Sequence, residues 1–210
     1  MCFFLCFLYK KLKIENMGRN VHLAQVNHTY AEHAWLPYSA GIVQANAQAQ
    51  PDLRGAYKFS SPIFLRENPK NVADSLENPD VLGISCYIWN WEWSNALARE
   101  VRKQHPKTLI VMGGPQVPNY SEGFFQSHPY VDILAHGEGE VTFANILRER
   151  LKENSDYSNV RGITFNQNDV SVRTQPQPRA TEKGIDKYGN LTPYLEEIVS
   201  PYLFGIFEEL

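Results

Sequence analysis

Short apolar runs alternate with longer segments of helical periodicity from residue 20 onward. The runs are rich in β-branched residues, which favour strands, and the segments between them repeat apolar residues three or four positions apart, which favours helices. The predicted strands are residues 21–26, 56–59, 81–85, 108–112 and 131–135, and the predicted helices are residues 36–49, 69–76, 94–104 and a segment after Gly139. This alternation predicts an α/β fold, a doubly wound parallel sheet in three layers.

The last 50 residues have a different pattern. Residues 160–165 and 170–172 flank a polar turn and predict a C-terminal β-hairpin at a sheet edge, so that the domain spans residues 20–173. Residues 174–199 are polar, contain three prolines and are typical of a linker. Residues 200–210 start with Ser200 and Pro201, a favoured helix start, and predict an amphipathic helix. We expect a following segment, absent from this chain, to cover its apolar face, or the helix to fold back on the domain.

Residues 1–19 form a leader with an apolar run at 2–9, followed by Lys10, Lys11 and Lys13. A signal peptide places its positive charge before the apolar stretch, and a membrane-spanning helix needs about 20 apolar residues. We therefore expect no membrane span and predict that the leader is not part of the fold, with a weak membrane anchor as the alternative. Cys2 and Cys6 have the spacing that opens some iron–sulfur motifs, but the next position holds Tyr9.

The charge balance excludes binding driven by phosphate neutralisation. The 210 residues carry a formal charge of −3, which gives no electrostatic footprint for nucleic acid. Three cysteines cannot build a disulfide framework and indicate a reducing compartment, so we expect the protein in the cytoplasm. The six histidines include no closely spaced pair, and we predict no metal site from local sequence.

In an open doubly wound sheet, ligands bind beyond the carboxyl ends of the strands. Loops at Asn27–Tyr30, Ser85–Asn90, Gly113–Pro115 and Gly137–Gly139 follow the predicted strands. The paired glycines 113 and 114 lack β-carbons, which would let a ligand approach the backbone, although an ordinary turn explains them as well.

A nucleotide-phosphate site does not fit this edge. The loop after the first strand has neither G-x-G-x-x-G nor G-x4-G-K-[ST]. Glu138 and Glu140 would complement the dipole of the helix that follows and repel a phosphate there. We predict a bulky, weakly charged ligand rich in amides or hydroxyls, with simple helix capping as the alternative for this motif.

Trp89, Trp91 and Trp93 share one face only if the segment is extended. We expect at least one indole near the surface, in a ligand or domain contact, with core packing as the alternative. Cys86 lacks a local base and is interpreted as a buried structural thiol more readily than as a nucleophile. His28 and His136 lie at the presumed ligand edge and are weaker candidates for ligand contact.

Three segments in this order and spacing resemble the N-terminal cobalamin (B12)-binding domain of B12-dependent radical SAM enzymes. They read Val-Leu-Gly-Ile-Ser-Cys-Tyr-Ile-Trp-Asn at 81–90, Leu-Ile-Val-Met-Gly-Gly-Pro at 109–115 and Val-Asp-Ile-Leu-Ala-His-Gly-Glu-Gly-Glu at 131–140. The resemblance implies a flavodoxin-like, Rossmann-like fold whose strand-end loops hold the corrin and its nucleotide tail. The cofactor-binding residues it implies are Ser85, Tyr87, Trp89, Gly113, Gly114, Pro115, Gly137, Glu138 and Gly139. To these we add Asn27, in the loop after the first strand.

Two departures from related patterns limit this assignment. The D-x-H-x-x-G motif that supplies a cobalt-ligating histidine in other cobalamin domains is absent, so neither His28 nor any other residue is predicted to bind cobalt. The C-x3-C-x2-C motif of a [4Fe-4S] cluster is also absent, and no catalytic residue is predicted. Residues 174–210 would lead to a missing radical SAM domain that holds the cluster and S-adenosylmethionine.

The leading hypothesis is therefore a cobalamin-binding module of a truncated B12-dependent radical SAM enzyme, of the methyltransferase type. It would hold the corrin over the active site of the downstream domain, which acts on a small molecule. One alternative is a degenerate Rossmann domain that serves as a docking module without cobalamin. Another is a free-standing enzyme that uses Cys86 or a histidine at a strand end. A bulky residue at Gly114 is expected to abolish corrin binding under the first hypothesis only.

Overall fold

A computed structural model describes residues 18–31, 33–168, 170–178 and 198–210. The strands are β1 Arg19–Ala24, β2 Thr29–Tyr30, β3 His33–Ala34, β4 Tyr57–Phe59, β5 Pro79–Ser85, β6 Leu109–Gly113, β7 Ile133–Ala135, β8 Ile163–Gln167 and β9 Val170–Arg173. The central sheet has seven of them in the order β4-β1-β5-β6-β7-β8-β9, and β2 and β3 form a separate two-stranded ladder. The helices are α1 Tyr38–Ala49, α2 Pro69–Ser75, α3 Trp91–Gln104, α4 Phe124–Ser127 and α5 Gly139–Arg150, with a 3-10 turn at Tyr157–Asn159.

The five strands β4, β1, β5, β6 and β7 run parallel, and β8 and β9 continue the sheet antiparallel. Counted along the chain, the parallel strands have the order 2-1-3-4-5 of flavodoxin-like folds, as the sequence predicted. The order reverses at β1, where β4 lies on one side and β5 on the other. This reversal opens a crevice at the carboxyl ends of β1 and β5, the usual place for a ligand in such folds.

Each face of the sheet has its own core. Alternate strand residues such as Leu23 and Val111 pack with α1 and α5 on one face, and Leu82 and Met112 pack with α2, α3 and α4 on the other. Strand residues that point to both faces are buried because helices cover both, which explains the continuous apolar runs. The three-layer prediction is confirmed.

Most predicted elements are present, with shifted ends. β1 begins at Arg19, inside the predicted leader, and α3 begins at Trp91, three residues before the predicted start. The hairpin of β8 and β9 lies at the sheet edge. The remainder of the predicted leader, with Cys2 and Cys6, and most of the predicted linker fall outside the described residues. Within the described part of the chain, no helix is long and apolar enough to cross a membrane.

The predicted helix at 200–210 is wrong. Residues 201–209 form successive turns, and Gly205 has a positive φ of 78°, which a continuous α-helix does not allow. An isolated helix of this length is marginal in water, and packing against the domain decides its conformation instead. The C-terminal segment, residues 198–210, folds back on α1, the alternative left open by the sequence. A β-carbon on Gly41 would lie 2.3 Å from Cζ of Phe207, so this ring packs directly on the glycine.

Candidate cofactor site

A cavity of about 290 Å³ lies between α1, α5 and the carboxyl ends of the parallel strands. Helix α1 forms one wall and α5 the other, and β1, β5, β6 and β7 form the floor. The cavity coincides with the crevice that the reversal of strand order creates. The position of the cavity is therefore a consequence of the topology. The size of the cavity depends on the side chains that line it.

Small residues keep this cavity open. Gly83 pairs with Val111, and Ser85 pairs with Gly113, in the register of β5 and β6. Because side chains alternate along a strand, Gly83, Ser85 and Gly113 lie on the sheet face that α1 and α5 cover. A β-carbon on Gly83 would lie 2.4 Å from Cδ2 of Leu23, so even alanine would crowd the floor at this position.

Gly114 has a separate structural role at the end of β6. Its φ is +101°, and a β-carbon there would lie 2.6 Å from the carbonyl oxygen of Cys86. The Cys86 N–H donates to the carbonyl oxygen of Gly113 at 2.6 Å, and the Gln116 N–H donates to that of Cys86 at 3.1 Å. Glycine at 114 therefore lets two strand-end loops touch through their backbones, beside the cavity.

The mouth of the cavity is bounded by an aromatic pair. The rings of Tyr87 and Trp89 stack at 4.5 Å, and the Tyr87 hydroxyl lies 2.6 Å from Oγ of Ser39 on α1. The Ala40 N–H in the first turn of α1 donates to Oε1 of the buried Gln25 at 3.0 Å. This bond caps α1 from the end of β1 and fixes the cavity wall.

Asn90 holds the loop after β5 in place. Its buried side chain donates to the carbonyl oxygens of Val26 at 3.1 Å and Ser85 at 2.9 Å. Its Oδ1 accepts the N–H of Tyr87 at 2.7 Å. The side-chain amide of Asn90 thus connects the ends of β1 and β5 with the aromatic pair. This positioning role was not predicted from the sequence.

Eight of the ten predicted cofactor-binding residues line the cavity. They are Ser85, Tyr87, Gly113, Gly114, Pro115, Gly137, Glu138 and Gly139. Asn27 and Trp89 lie beside it: Nε1 of Trp89 donates to Oδ1 of Asn27 at 3.4 Å, which connects the loops after β1 and β5. The structure therefore brings the predicted set to one edge of the sheet, with two members in supporting positions.

Helix α1 contributes a cavity wall that was not predicted from the sequence. Tyr38, Ser39, Ile42 and Val43 line the cavity opposite the strand ends. In the sequence, segment 36–49 is rich in small residues, which indicated that the helix packs closely on the sheet. This pattern did not indicate that the helix forms a cavity wall. Glu140 also lines the cavity, although the sequence gave it only a role in the helix dipole.

The tryptophans divide between surface and core. Trp89 is 38% exposed at the mouth, whereas Trp93 is buried and donates to the carbonyl oxygen of Glu67 at 2.7 Å. Trp91 packs against the core beside Phe124. One indole of the three thus faces the candidate site, and the two on α3 have structural roles.

The remaining candidates do not form a reaction centre. Cys86 is buried, and burial raises the pKa of its thiol to about 12, which leaves it protonated and unreactive at neutral pH. His28 is exposed and lies 6.1 Å from the Trp89 ring. Among the residues that the structure describes, no cluster of three or more His, Cys, Asp or Glu could hold a metal ion.

The lowered pKa of His136 predicts that the stability of the domain depends on pH. Burial, with a smaller contribution from the charge of Arg173, lowers the pKa of His136 from 6.5 to about 4. The imidazole of His136 therefore binds a proton more tightly in the unfolded chain than in the folded protein. The free energy of unfolding that the neutral imidazole contributes is fully present above pH 6.5 and is lost as the pH falls towards 4. We expect His136→Asn to lose less unfolding free energy between pH 7 and pH 4.5 than the parent protein, measured by urea denaturation. Equal losses in both proteins would contradict this, because His22, the other histidine whose pKa is lowered by burial, is common to both.

The chain is similar in sequence to known cobalamin-dependent proteins. Residues 66–147 match the family model described as a B12 binding domain. The chain is 38% identical over 196 residues to the cobalamin-dependent radical SAM methyltransferase TokK of Streptomyces tokunonensis, covering 93% of this chain and 26% of that protein. It is 36% identical over 191 residues to the 2-(S-pantetheinyl)-carbapenam-3-carboxylate methyltransferase of Streptantibioticus cattleyicolor, covering 91% of this chain and 26% of that protein.

Solved structures share the fold. The cobalamin-dependent S-adenosylmethionine radical enzyme OxsB, with aqua-cobalamin and S-adenosylmethionine bound, aligns with a TM-score of 0.60 at 18% identity, over 95% of this chain and 26% of that one. The radical S-adenosylmethionine methyltransferase TsrM of Kitasatospora setae aligns with a TM-score of 0.58 at 15% identity, over 77% of this chain and 31% of that one. The chain thus spans about a quarter of the length of the curated relatives named above.

Proposed function

We infer that this chain, whose residues 66–147 are a B12-binding domain like that of cobalamin-dependent radical SAM methyltransferases, holds cobalamin at the carboxyl edge of its sheet. The observation that carries the proposal is the open cavity above Gly83 and Gly113, at the reversal of strand order. Its volume of about 290 Å³ is too small for a corrin ring with its side chains but suits an aromatic base with its sugar. We therefore place the nucleotide tail in the cavity and the corrin over its mouth.

The residues present fit this cofactor. The inner part of the cavity is apolar, lined by Leu23, Val43 and Phe143, as an aromatic base requires. At the mouth, Gly114 and Pro115 present backbone without long side chains, and a flat ring system can approach closely there. The stacked rings of Tyr87 and Trp89 add an apolar surface beside this approach. These residues would position the corrin and exclude water from one side of it.

Cobalamin supplies the chemistry that such a domain lacks, since its cobalt can carry a methyl group between donor and acceptor. The contribution of this chain is binding and orientation, and we assign no catalytic residue to it. We propose that the whole protein is a radical SAM methyltransferase acting on a small molecule. Its S-adenosylmethionine and [4Fe-4S] cluster would belong to a further domain, since the 210 residues contain no C-x3-C-x2-C motif.

We propose that residues 20–173 are the cobalamin-binding unit and that residues 1–19 precede it, although the sheet already includes Arg19, which pairs with Tyr57. Residues 174–210 would lead towards the catalytic domain, with the C-terminal segment packed on α1. We propose the cytoplasm as the location, since the three cysteines suit a reducing compartment.

Titration of the purified 210-residue chain with hydroxocobalamin tests the proposal. After gel filtration, we expect about one equivalent of corrin to co-elute with the protein, detected by its visible absorption. A colourless protein peak at saturating corrin would contradict cobalamin binding and favour the docking-module alternative. Ribonuclease A and vitamin-free albumin, two colourless proteins passed through the same column with the corrin, control for non-specific trapping.

A further inference from the structure

Glu140 carries a carboxylate oxygen without a partner at the side of the cavity. The residue lies in the first turn of α5 and lines the cavity. Its Oε2 is buried and, within the described ranges, accepts no hydrogen bond. A buried carboxylate oxygen left unpaired is costly, so its persistence in a ligand cavity indicates that a ligand supplies the donor.

The surroundings define the kind of donor. Burial raises the pKa of Glu140, and the charge of Glu138 adds to this, whereas the backbone N–H groups of Glu140 and Gly139 favour the ionised form. The cavity lining, as far as the structure describes it, includes no Lys, Arg or His. The carboxylate of Glu140 would repel a phosphate, and its suitable partner is an uncharged O–H or N–H group.

The position of Glu140 relates it to one part of the ligand. Phe143, three residues further along α5, lines the same cavity with Leu23, and Glu138 precedes the helix as its N-cap, nearer to the strand ends. A polar acceptor thus stands between an apolar inner end and the open mouth. In a nucleotide tail, the sugar occupies the same intermediate place between the aromatic base and the phosphate.

We propose that Glu140 accepts a hydrogen bond from a sugar hydroxyl of the nucleotide tail and so makes the site selective for corrinoids that carry this tail. The inference rests on the proposed cobalamin function and adds a specificity-determining residue to it. The amide side chains of the corrin are the other source of uncharged donors. They remain in cobinamide, a corrinoid that lacks the nucleotide tail, so the two sources can be separated.

The test measures dissociation constants for hydroxocobalamin and for cobinamide by equilibrium dialysis with the parent chain, Glu140→Gln and a charge-matched control. Glu153→Gln is the control, since Glu153 is exposed beyond the end of α5 and away from the cavity. We expect Glu140→Gln to weaken cobalamin binding about 5- to 10-fold, because the amide oxygen can still accept the hydrogen bond but carries no charge, with less than about a 2-fold change for cobinamide. The control should match the parent for both ligands.

Three other outcomes would overturn the inference in different ways. Equal weakening of cobalamin and cobinamide would assign Glu140 to a corrin amide and not to the sugar. Unchanged cobalamin affinity in Glu140→Gln would remove its role while leaving the proposed function in place. If the parent chain binds neither corrinoid, the proposed function fails and this inference fails with it. Thermal unfolding of the ligand-free variants checks folding, and we expect Glu140→Gln to be at least as stable as the parent because it removes a buried charge.

Discussion

Replacement of Gly113 by valine is expected to abolish cobalamin binding while the domain remains folded. Gly113 lines the floor of the cavity, and a β-carbon there would lie 3.5 Å from Cβ of Ala135, an ordinary contact. The β-carbon is therefore accommodated, but the two methyl groups beyond it would occupy space that the nucleotide tail needs. One surplus methylene in a filled pocket costs roughly 10- to 200-fold in affinity, and valine adds three carbons, so we expect a loss of at least about 100-fold.

The matched variant is Gly113→Ala, which adds only the accommodated β-carbon and should weaken binding less than valine does. Affinity is measured by dialysis against hydroxocobalamin, and folding by urea denaturation without ligand. Parent-like affinity in folded Gly113→Val would show that the cavity is not where the cofactor binds. Gly113 is a better probe of binding than Gly114, because substitution at Gly114 also disturbs the backbone.

Gly114→Ala is expected to produce the largest loss of stability of any single methyl added to this edge of the sheet. Its φ of +101° is unfavourable for a residue with a side chain, and the added carbon would lie 2.6 Å from one backbone atom of Cys86 and 3.0 Å from another. The contact is with backbone, which cannot rotate away as a side chain could. Strain of this type costs about 1–3 kcal/mol, and separation of the two loops breaks hydrogen bonds as well, so we expect a loss of at least about 3 kcal/mol.

Urea unfolding of Gly114→Ala and Gly113→Ala makes the comparison direct, because the same methyl group is added at adjacent positions. We expect Gly113→Ala to change the unfolding free energy by less than about 1 kcal/mol, since its new contact is ordinary. Similar losses in the two variants would contradict the role of Gly114 as the close contact between the loops after β5 and β6.

The sequence was sufficient for the sheet because burial on both faces leaves a strong local signal. The run at 81–85 became β5, and the run at 108–112 became β6 with a shift of one residue. The alternation of elements predicted the doubly wound parallel sheet, and the family resemblance implied its flavodoxin-like form. Element ends were less certain: Trp91 begins α3, although local patterning favoured a start after Trp93.

Non-local packing decided the features that the sequence did not predict. Ser200 and Pro201 form a good local helix start, yet contacts with α1 and the positive φ of Gly205 select turns. For the site, glycines at strand ends indicated the correct edge. The orphaned oxygen of Glu140 and the wall formed by α1 depend on the packing of two helices distant in sequence, which no local motif encodes.

The position of the C-terminal segment has a consequence for the cavity. Phe207 rests on Gly41, and the neighbouring residues Ala40 and Ile42 line the cavity, so α1 separates the two. Asn46 adds a second point of attachment, where its Oδ1 accepts the N–H of Val199 at 3.2 Å. Ligand and segment therefore contact the same helix, so a shift of α1 would alter both contacts. If filling the cavity restrains the segment, reciprocity requires that restraint of the segment strengthens ligand binding by the same free energy.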